Sequence, residues 1–102
     1  MTLHLNLDPF PKQCKIFGNT IDIVRKTIVL DDEGLVVNGT YEAEKDRIEI
    51  NSKQSLDKQW QTLLHELYHA VLHYCGKVEL DKDEAHVEMT SQIVFQIIKT
   101  LN

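Results

Sequence analysis

The sequence predicts a small α+β fold in which an antiparallel or mixed sheet of about three to four strands packs on two C-terminal helices. β-Branched residues are frequent in the first half of the chain, whereas apolar residues recur at three- and four-residue spacing in the second half. A length of 102 residues suits one domain with a single modest core. Strands are therefore expected first and helices last.

The N-terminus is predicted to be an extended arm over residues 1–12, followed by one domain over residues 13–102. Pro9 and Pro11 fix the backbone on either side of Phe10, and each disfavours helix in the residue before it. We expect this arm to be loosely held.

Residues 14–30 are predicted to form two short strands, because the turn signal Gly18-Asn19 separates two runs rich in Ile, Val and Thr. Residues 22–29 could instead be helical. A turn is predicted at residues 31–34, and Asn38-Gly39 is a second break in which the glycine can supply a positive φ.

A β-hairpin is predicted next, with arms at residues 40–43 and 47–51 and a turn at residues 44–46. Ile48 and Ile50 alternate with charged residues, which is the period of a strand with one buried face.

Two helices are predicted to complete the chain. The first runs from about residue 56 to residue 75 and ends before Gly76. Its apolar residues are Trp60, Leu63, Leu64, Leu67, Val71 and Tyr74. The second runs from about residue 82 to residue 100, with Asp81 as its N-cap. Its inward stripe is Val87, Ser91, Val94, Phe95 and Ile98.

Composition excludes several classes of function. The net charge is −5 and the basic residues are scattered, which argues against a nucleic-acid partner. No stretch has the length of a membrane span and the first residues lack a signal-peptide pattern, so we expect a cytoplasmic protein with no membrane partner. Cys14 and Cys75 form no C-x-x-C pair and are expected to be reduced.

The segment His65-Glu66-Leu67-Tyr68-His69 has the H-E-x-x-H pattern within the first helix. Positions i and i+4 lie on one helical face, about 6 Å apart along the axis, so both imidazoles can bind one ion. Zinc favours such nitrogen ligands. The pattern predicts one Zn²⁺ per chain, with Glu66 beside the ion as the general base that takes a proton from the activated water.

A catalytic zinc ion needs a third protein ligand, and two carboxylates continue the inward stripe of the last helix at its start. Glu84 is the first choice, because an ionised carboxylate facing the core requires a partner. Glu88 could then accept the second N–H of a ligand histidine, or the two glutamates could exchange roles. The competing interpretation of Glu84 is a capping box with Asp81.

The remaining polar residues near the motif receive weaker assignments. Tyr41 and Tyr68 are candidate donors to the oxyanion of a tetrahedral intermediate, although either could be a packing residue. His73 is expected to be a half-exposed surface histidine, and His86 is given no ligand role.

The segment from Thr62 to Val71 resembles the zinc helix of the ImmA/IrrE family of metallopeptidases and of small phage-encoded zincins. The preceding hairpin, with Gly39-Thr40-Tyr41, and the downstream Glu84-Ala85 and Val87-Glu88 are also similar to that family. The resemblance covers roughly residues 38 to 98.

This resemblance implies His65, His69 and Glu84 as zinc ligands and Glu66 as general base. It also implies that a substrate strand lies along the sheet edge formed by residues 39–44, and it makes a phage or prophage context plausible. The chain departs from the pattern in lacking the Met-Pro ending of the last helix and in two residues. Tyr68 stands where the family often has Gly, and His86 where it has Asn.

Three functional hypotheses follow. The preferred one is a zinc-dependent endopeptidase acting on an extended protein or peptide segment. The alternative is a catalytically inactive, zinc-stabilised protein-binding module. A third is a metal-free helical interaction module in which His65 and His69 only pack. The sequence does not predict the substrate or the oligomeric state, and histidine and carboxylate ligands could also hold manganese or iron in place of zinc.

Overall fold

The computed structural model describes residues 9–101, and its architecture confirms the predicted α+β fold. The strands are β1 (Gln13–Ile16), β2 (Asn19–Lys26), β3 (Gly39–Glu42) and β4 (Arg47–Asn51). The helices are α1 (Leu56–Tyr74), α2 (Val78–Asp81) and α3 (Glu84–Thr100), with a 3₁₀ turn at Ala43–Lys45. The short helix α2 was not predicted.

The four strands form one mixed sheet in the order β1-β2-β4-β3. β2 and β4 are parallel, whereas β1–β2 and β3–β4 are antiparallel. The predicted strand pair and hairpin are therefore confirmed, and the helical alternative for residues 22–29 is wrong. The first turn lies at Phe17-Gly18, both with positive φ, one residue earlier than predicted. β3 forms one edge of the sheet.

The core lies between the sheet and α1, where isoleucines of β2 and β4 pack against the helix. Its buried members are Phe10, Ile21, Ile23, Ile48, Ile50, Leu63 and Ala70. Phe10 is only 5% exposed, and its ring packs at a tilt against that of Trp60, with a centroid distance of 5.1 Å. The expectation of a loosely held arm is therefore wrong at this residue, because its ring is part of the hydrophobic core. Residues 1–8 of the arm lie outside the described residues.

Gly39 serves a different purpose from the one expected of it. Its φ is not positive; it is the first residue of β3, paired with Ile50. A Cβ at this position would overlap the Cγ2 methyl of Thr62 and lie 3.4 Å from Cγ of Glu66. The missing side chain therefore lets β3 approach α1 at the level of the H-E-x-x-H segment.

The ends of α1 follow the sequence signals. The Ser55 hydroxyl accepts a hydrogen bond from the backbone N–H of Lys58 at 3.3 Å, and Gly76 after the helix has a φ of 69°. These are an N-cap and a left-handed C-terminal stop.

The start of α3 differs from the prediction. Asp83, not Asp81, is the N-cap, and its carboxylate accepts from the backbone N–H of His86 at 3.0 Å. The predicted N-cap at Asp81 is therefore wrong, and so is the competing interpretation of Glu84 as part of a capping box with Asp81, because Asp81 ends α2. Val87, Ser91 and Phe95 are buried as expected, but Val94 is 39% exposed.

The described part of the chain, residues 9–101, contains no helix that is both long and apolar enough to cross a membrane. Cys14 and Cys75 are both free thiols, as expected.

Candidate metal centre

Three side chains converge where the start of α3 meets the middle of α1. One ligand atom from each of His65, His69 and Glu84 lies within 4.8 Å of the other two. Nε2 of His65 is 3.2 Å from Oε2 of Glu84, and Nε2 of His69 is 2.9 Å from Oε1 of the same carboxylate. The structure thus brings together the three residues singled out as ligands.

Local structure explains this convergence. The two histidines are one helical turn apart on the same face of α1, with ring centroids separated by 5.1 Å. Glu84 is the first residue of α3, so the Asp83 cap and the packing of Val87 and Ser91 fix where its carboxylate emerges. The carboxylate is 69% exposed, whereas the two imidazoles are 16% and 15% exposed. The group is therefore open to solvent on the glutamate side.

The second ring nitrogen of His69 has a carboxylate partner. Nδ1 of His69 lies 2.7 Å from Oδ1 of Asp81, at the end of α2. Burial alone lowers the pKa of His69, but the hydrogen bond to Asp81 and the nearby charges of Glu66 and Glu84 outweigh it, so this pKa is raised. Sequence reasoning missed this role of Asp81, because four residues of α2 carry no detectable helical period.

Glu88 lies beside the other histidine. Its Oε2 is 2.8 Å from Nδ1 of His65. The approach is too oblique for a hydrogen bond, so Nδ1 is a buried atom without a hydrogen-bond partner among the described residues. The other oxygen of Glu88 accepts from Gln92 at 2.6 Å. Because Glu88 faces Nδ1 and Glu84 faces Nε2, the geometry favours Glu84 as the third member of the group.

Glu66 flanks the three side chains from inside the protein. Its Oε2 is 4.0 Å from Nε2 of His65, and the residue is 9% exposed. Burial raises the pKa of this carboxyl; the charges of His65 and His69 lower it, and those of Glu84 and Glu88 add to the increase. The net direction is upward, which suits a group that has to accept a proton.

A groove runs along β3 past the three converging side chains. A cavity of about 560 Å³ lies on one side, between Tyr41, His73 and the loop at Leu30–Asp32. A second cavity of about 240 Å³ lies on the other side, near Lys58. Both are bounded by Gly39, His65 and Glu66. The two cavities therefore meet at the glutamate of the motif.

The two tyrosines proposed as oxyanion donors are engaged elsewhere. Tyr41 lines the larger cavity, but its hydroxyl donates to Oδ1 of Asp46 at 3.3 Å, and the Tyr74 hydroxyl donates to the same oxygen. Burial and the charge of Asp46 raise the pKa of Tyr41. The Tyr68 hydroxyl lies 2.7 Å from Nε2 of His86, and Tyr68 does not border either cavity.

His73 was expected to be a half-exposed surface histidine, and it is exposed. It also borders the larger cavity. Its ring lies edge-on to Tyr41 and Tyr74, with centroid distances of 6.1 and 5.1 Å. The signal that could have placed it in the groove was its spacing of four residues from His69.

Residues 21–96 match the model of the peptidase family described as the IrrE N-terminal-like domain, Peptidase_M78. The chain belongs to this family. The match begins within β2, covers most of α3 and so includes the complete H-E-x-x-H segment and Glu84. Membership indicates a metallopeptidase-like domain. Comparisons with curated proteins and with solved structures gave no significant match.

Proposed function

We propose that this chain is a zinc-dependent endopeptidase that hydrolyses a peptide bond in an extended protein segment, with Glu66 as general base. The observation that carries the proposal is the convergence of His65, His69 and Glu84 beside a buried glutamate, in a groove that follows an edge strand.

The side chains present suit one zinc ion. Two imidazole nitrogens and one carboxylate oxygen are a common ligand set of catalytic zinc, which keeps a further position open. The carboxylate of Asp81 on the outer nitrogen of His69 is the usual support of such a ligand. When bound, zinc supplies a Lewis acid that polarises the substrate carbonyl and lowers the pKa of water.

Glu66 provides the proton transfers. It takes a proton from the attacking water as the oxygen bonds to the substrate carbonyl carbon, and it returns the proton to the amine as the C–N bond breaks. Its burial favours this role, because a carboxylate removed from water is a stronger base.

The free edge of β3 offers a docking surface for the substrate. The backbone N–H of Asn51 donates to the carbonyl of Asn38 at 2.8 Å, and antiparallel pairs alternate between bonded and non-bonded positions. Continuing that alternation directs the backbone groups of Gly39 and Tyr41 outward. An extended segment can pair with them as an added strand and pass over Glu66.

One observation favours the alternative, a zinc-stabilised binding module without activity. The hydroxyls of Tyr41 and Tyr68 are both bound to other side chains, so neither is free to stabilise a tetrahedral intermediate.

Zinc content and peptide cleavage separate the two functions. We expect one zinc per wild-type chain by elemental mass spectrometry, and loss of zinc in His69→Ala and Glu84→Ala. Zinc-loaded wild-type protein should cleave members of a pool of unstructured decapeptides, detected by mass spectrometry. Glu66→Gln should retain zinc and lose cleavage. Glu79→Gln, the same change at an exposed position of α2, is the matched control and should behave as wild type.

Absence of zinc after reconstitution would contradict both functions. Zinc-loaded protein that cleaves nothing, but binds members of the same pool, would favour the binding module.

A further inference from the structure

The end of the groove next to His69 contains a polar side chain that the proposed function does not use. His73 is exposed and borders the larger cavity. Within residues 9–101 it makes ring contacts with Tyr41 and Tyr74 but no hydrogen bond or ion pair. Its ring nitrogens are therefore available to a ligand in the groove.

The position of His73 directs it towards the converging side chains. It lies one helical turn after His69 on the same face of α1, and helical side chains lean towards the N-terminus of their helix. The ring therefore covers the turn that contains His69. An imidazole carries at least one N–H donor, whether it is neutral or charged.

The neighbours of His73 restrict its ring. Tyr41 and Tyr74 contact the imidazole from β3 and from α1, and both of their hydroxyls donate to one oxygen of Asp46. Asp46 itself is held at the end of the 3₁₀ turn in a left-handed conformation, with a φ of 47°. This arrangement keeps the two tyrosines in place and so limits the rotamers open to His73.

We propose that His73 donates the hydrogen bond that stabilises the developing negative charge on the substrate carbonyl oxygen. The inference rests on the proposed peptidase function. It follows from elimination as well as position, because the hydroxyls of Tyr41 and Tyr68 are engaged, whereas the nitrogens of His73 make no hydrogen bond or ion pair within residues 9–101.

The test uses a phosphinic analogue of tetra-alanine, whose tetrahedral group imitates the intermediate, titrated calorimetrically into the zinc-loaded protein. His73→Phe keeps an aromatic ring without an N–H donor and should weaken binding at least about tenfold, with zinc content unchanged. His73→Gln restores a donor and should recover part of the affinity. In wild-type protein, the ring N–H signal of His73 should shift downfield in nitrogen-resolved NMR when the analogue binds.

Lys77→Gln changes an exposed residue just after α1 and should bind the analogue as wild type does. Equal affinity of wild type and His73→Phe, both with zinc, would overturn the role of His73 and leave the peptidase function standing. A loss in Lys77→Gln as large as that in His73→Phe would also overturn it. Failure of zinc-loaded wild-type protein to bind the analogue would overturn the inference and the peptidase function together.

Discussion

At the scale of single residues, His69 is held through both ring nitrogens. Nε2 faces Glu84 at 2.9 Å, and Nδ1 faces Asp81 at 2.7 Å. The Asp81 contact orients the ring and leaves Nε2 directed at the proposed metal position. These contacts therefore affect two measurable properties, which are the zinc affinity of the protein and the pH dependence of its stability without metal.

Asp81→Asn should lower zinc affinity about 10- to 100-fold, because loss of the supporting carboxylate leaves the His69 ring less basic and less well oriented. Competition with a chromophoric chelator measures the effect. Asp83→Asn is the matched control, since it removes the same charge two residues away and asparagine still caps a helix. An equal loss of zinc affinity in both variants would show that the negative charge near the site, and not the contact of Asp81 with His69, determines the affinity.

The metal-free protein should become less stable as the pH rises through the folded-state pKa of His69. That pKa is raised above its ordinary value of 6.5, so the native state binds the proton more tightly than the unfolded state does. The resulting stabilisation is fully present below about pH 6.5 and is lost above the raised pKa.

Urea unfolding of chelator-treated protein at about pH 6 and about pH 8 measures this loss. The difference should shrink in His69→Gln. The expectation would be contradicted if wild-type protein had the same free energy of unfolding at both pH values. It would also be contradicted if His69→Gln kept the whole difference in free energy of unfolding between them.

The residues of the H-E-x-x-H segment could be singled out from sequence because helical spacing alone places His65 and His69 on one face. The side chains that contact those residues could not be predicted from the sequence. The contacts of Asp81 and His73 depend on how α2 and β3 pack around α1, and that packing leaves no periodic signal. Asp81 and Asp83 both satisfy the rule for a helix cap, so the sequence could not decide between them.

At the scale of elements, the close approach of β3 to α1 depends on Gly39. Gly39→Ala should destabilise the protein by about 1–3 kcal/mol and reduce cleavage, because the added methyl overlaps Thr62 and pushes the edge strand away from Glu66. Thermal unfolding and peptide cleavage measure the two effects.

Thr62→Ser provides the matched rescue, since it removes the clashing methyl and keeps the hydroxyl that donates to Gln54. The double variant should recover part of the lost stability. Full recovery is not expected, because the added Cβ would also lie 3.1 Å from the carbonyl oxygen of Glu49. Additive losses in the double variant would show that the overlap with Thr62 is not the cause.

The hairpin and α1 could be predicted because their periods of two and of about 3.6 residues are strong over their lengths. The parallel pairing of β2 with β4 could not, because it joins strands about 25 residues apart without a local turn signal. The expectation of a loosely held arm was wrong at Phe10 for a similar reason, since the burial of this ring depends on Trp60, far along the chain.

At the scale of the whole molecule, the proposed metal position connects α1 to α3. Zinc removal should therefore lower the melting temperature, because an ion that binds only the folded state stabilises it. The gain is about 2.7 kcal/mol when free zinc exceeds its dissociation constant about 100-fold.

Differential scanning calorimetry with and without a chelator measures this effect. Zinc should reverse it and magnesium should not, because magnesium prefers oxygen ligands. His69→Ala should show no response to chelation. If neither the chelator nor zinc changed the melting temperature of the wild-type protein, the proposal of a bound ion at this position would be contradicted.

The strand order also determines when the groove can form as the chain is made. β4 lies between β2 and β3, and both neighbours precede it in the sequence. In a nascent chain that ends before Arg47, β3 therefore has no strand with which to pair. One strand, Arg47–Asn51, completes the sheet by insertion, and α1 follows only five residues after Asn51. The groove proposed to bind and cleave a substrate therefore cannot form until β4 and α1, which ends at Tyr74, have both been synthesised.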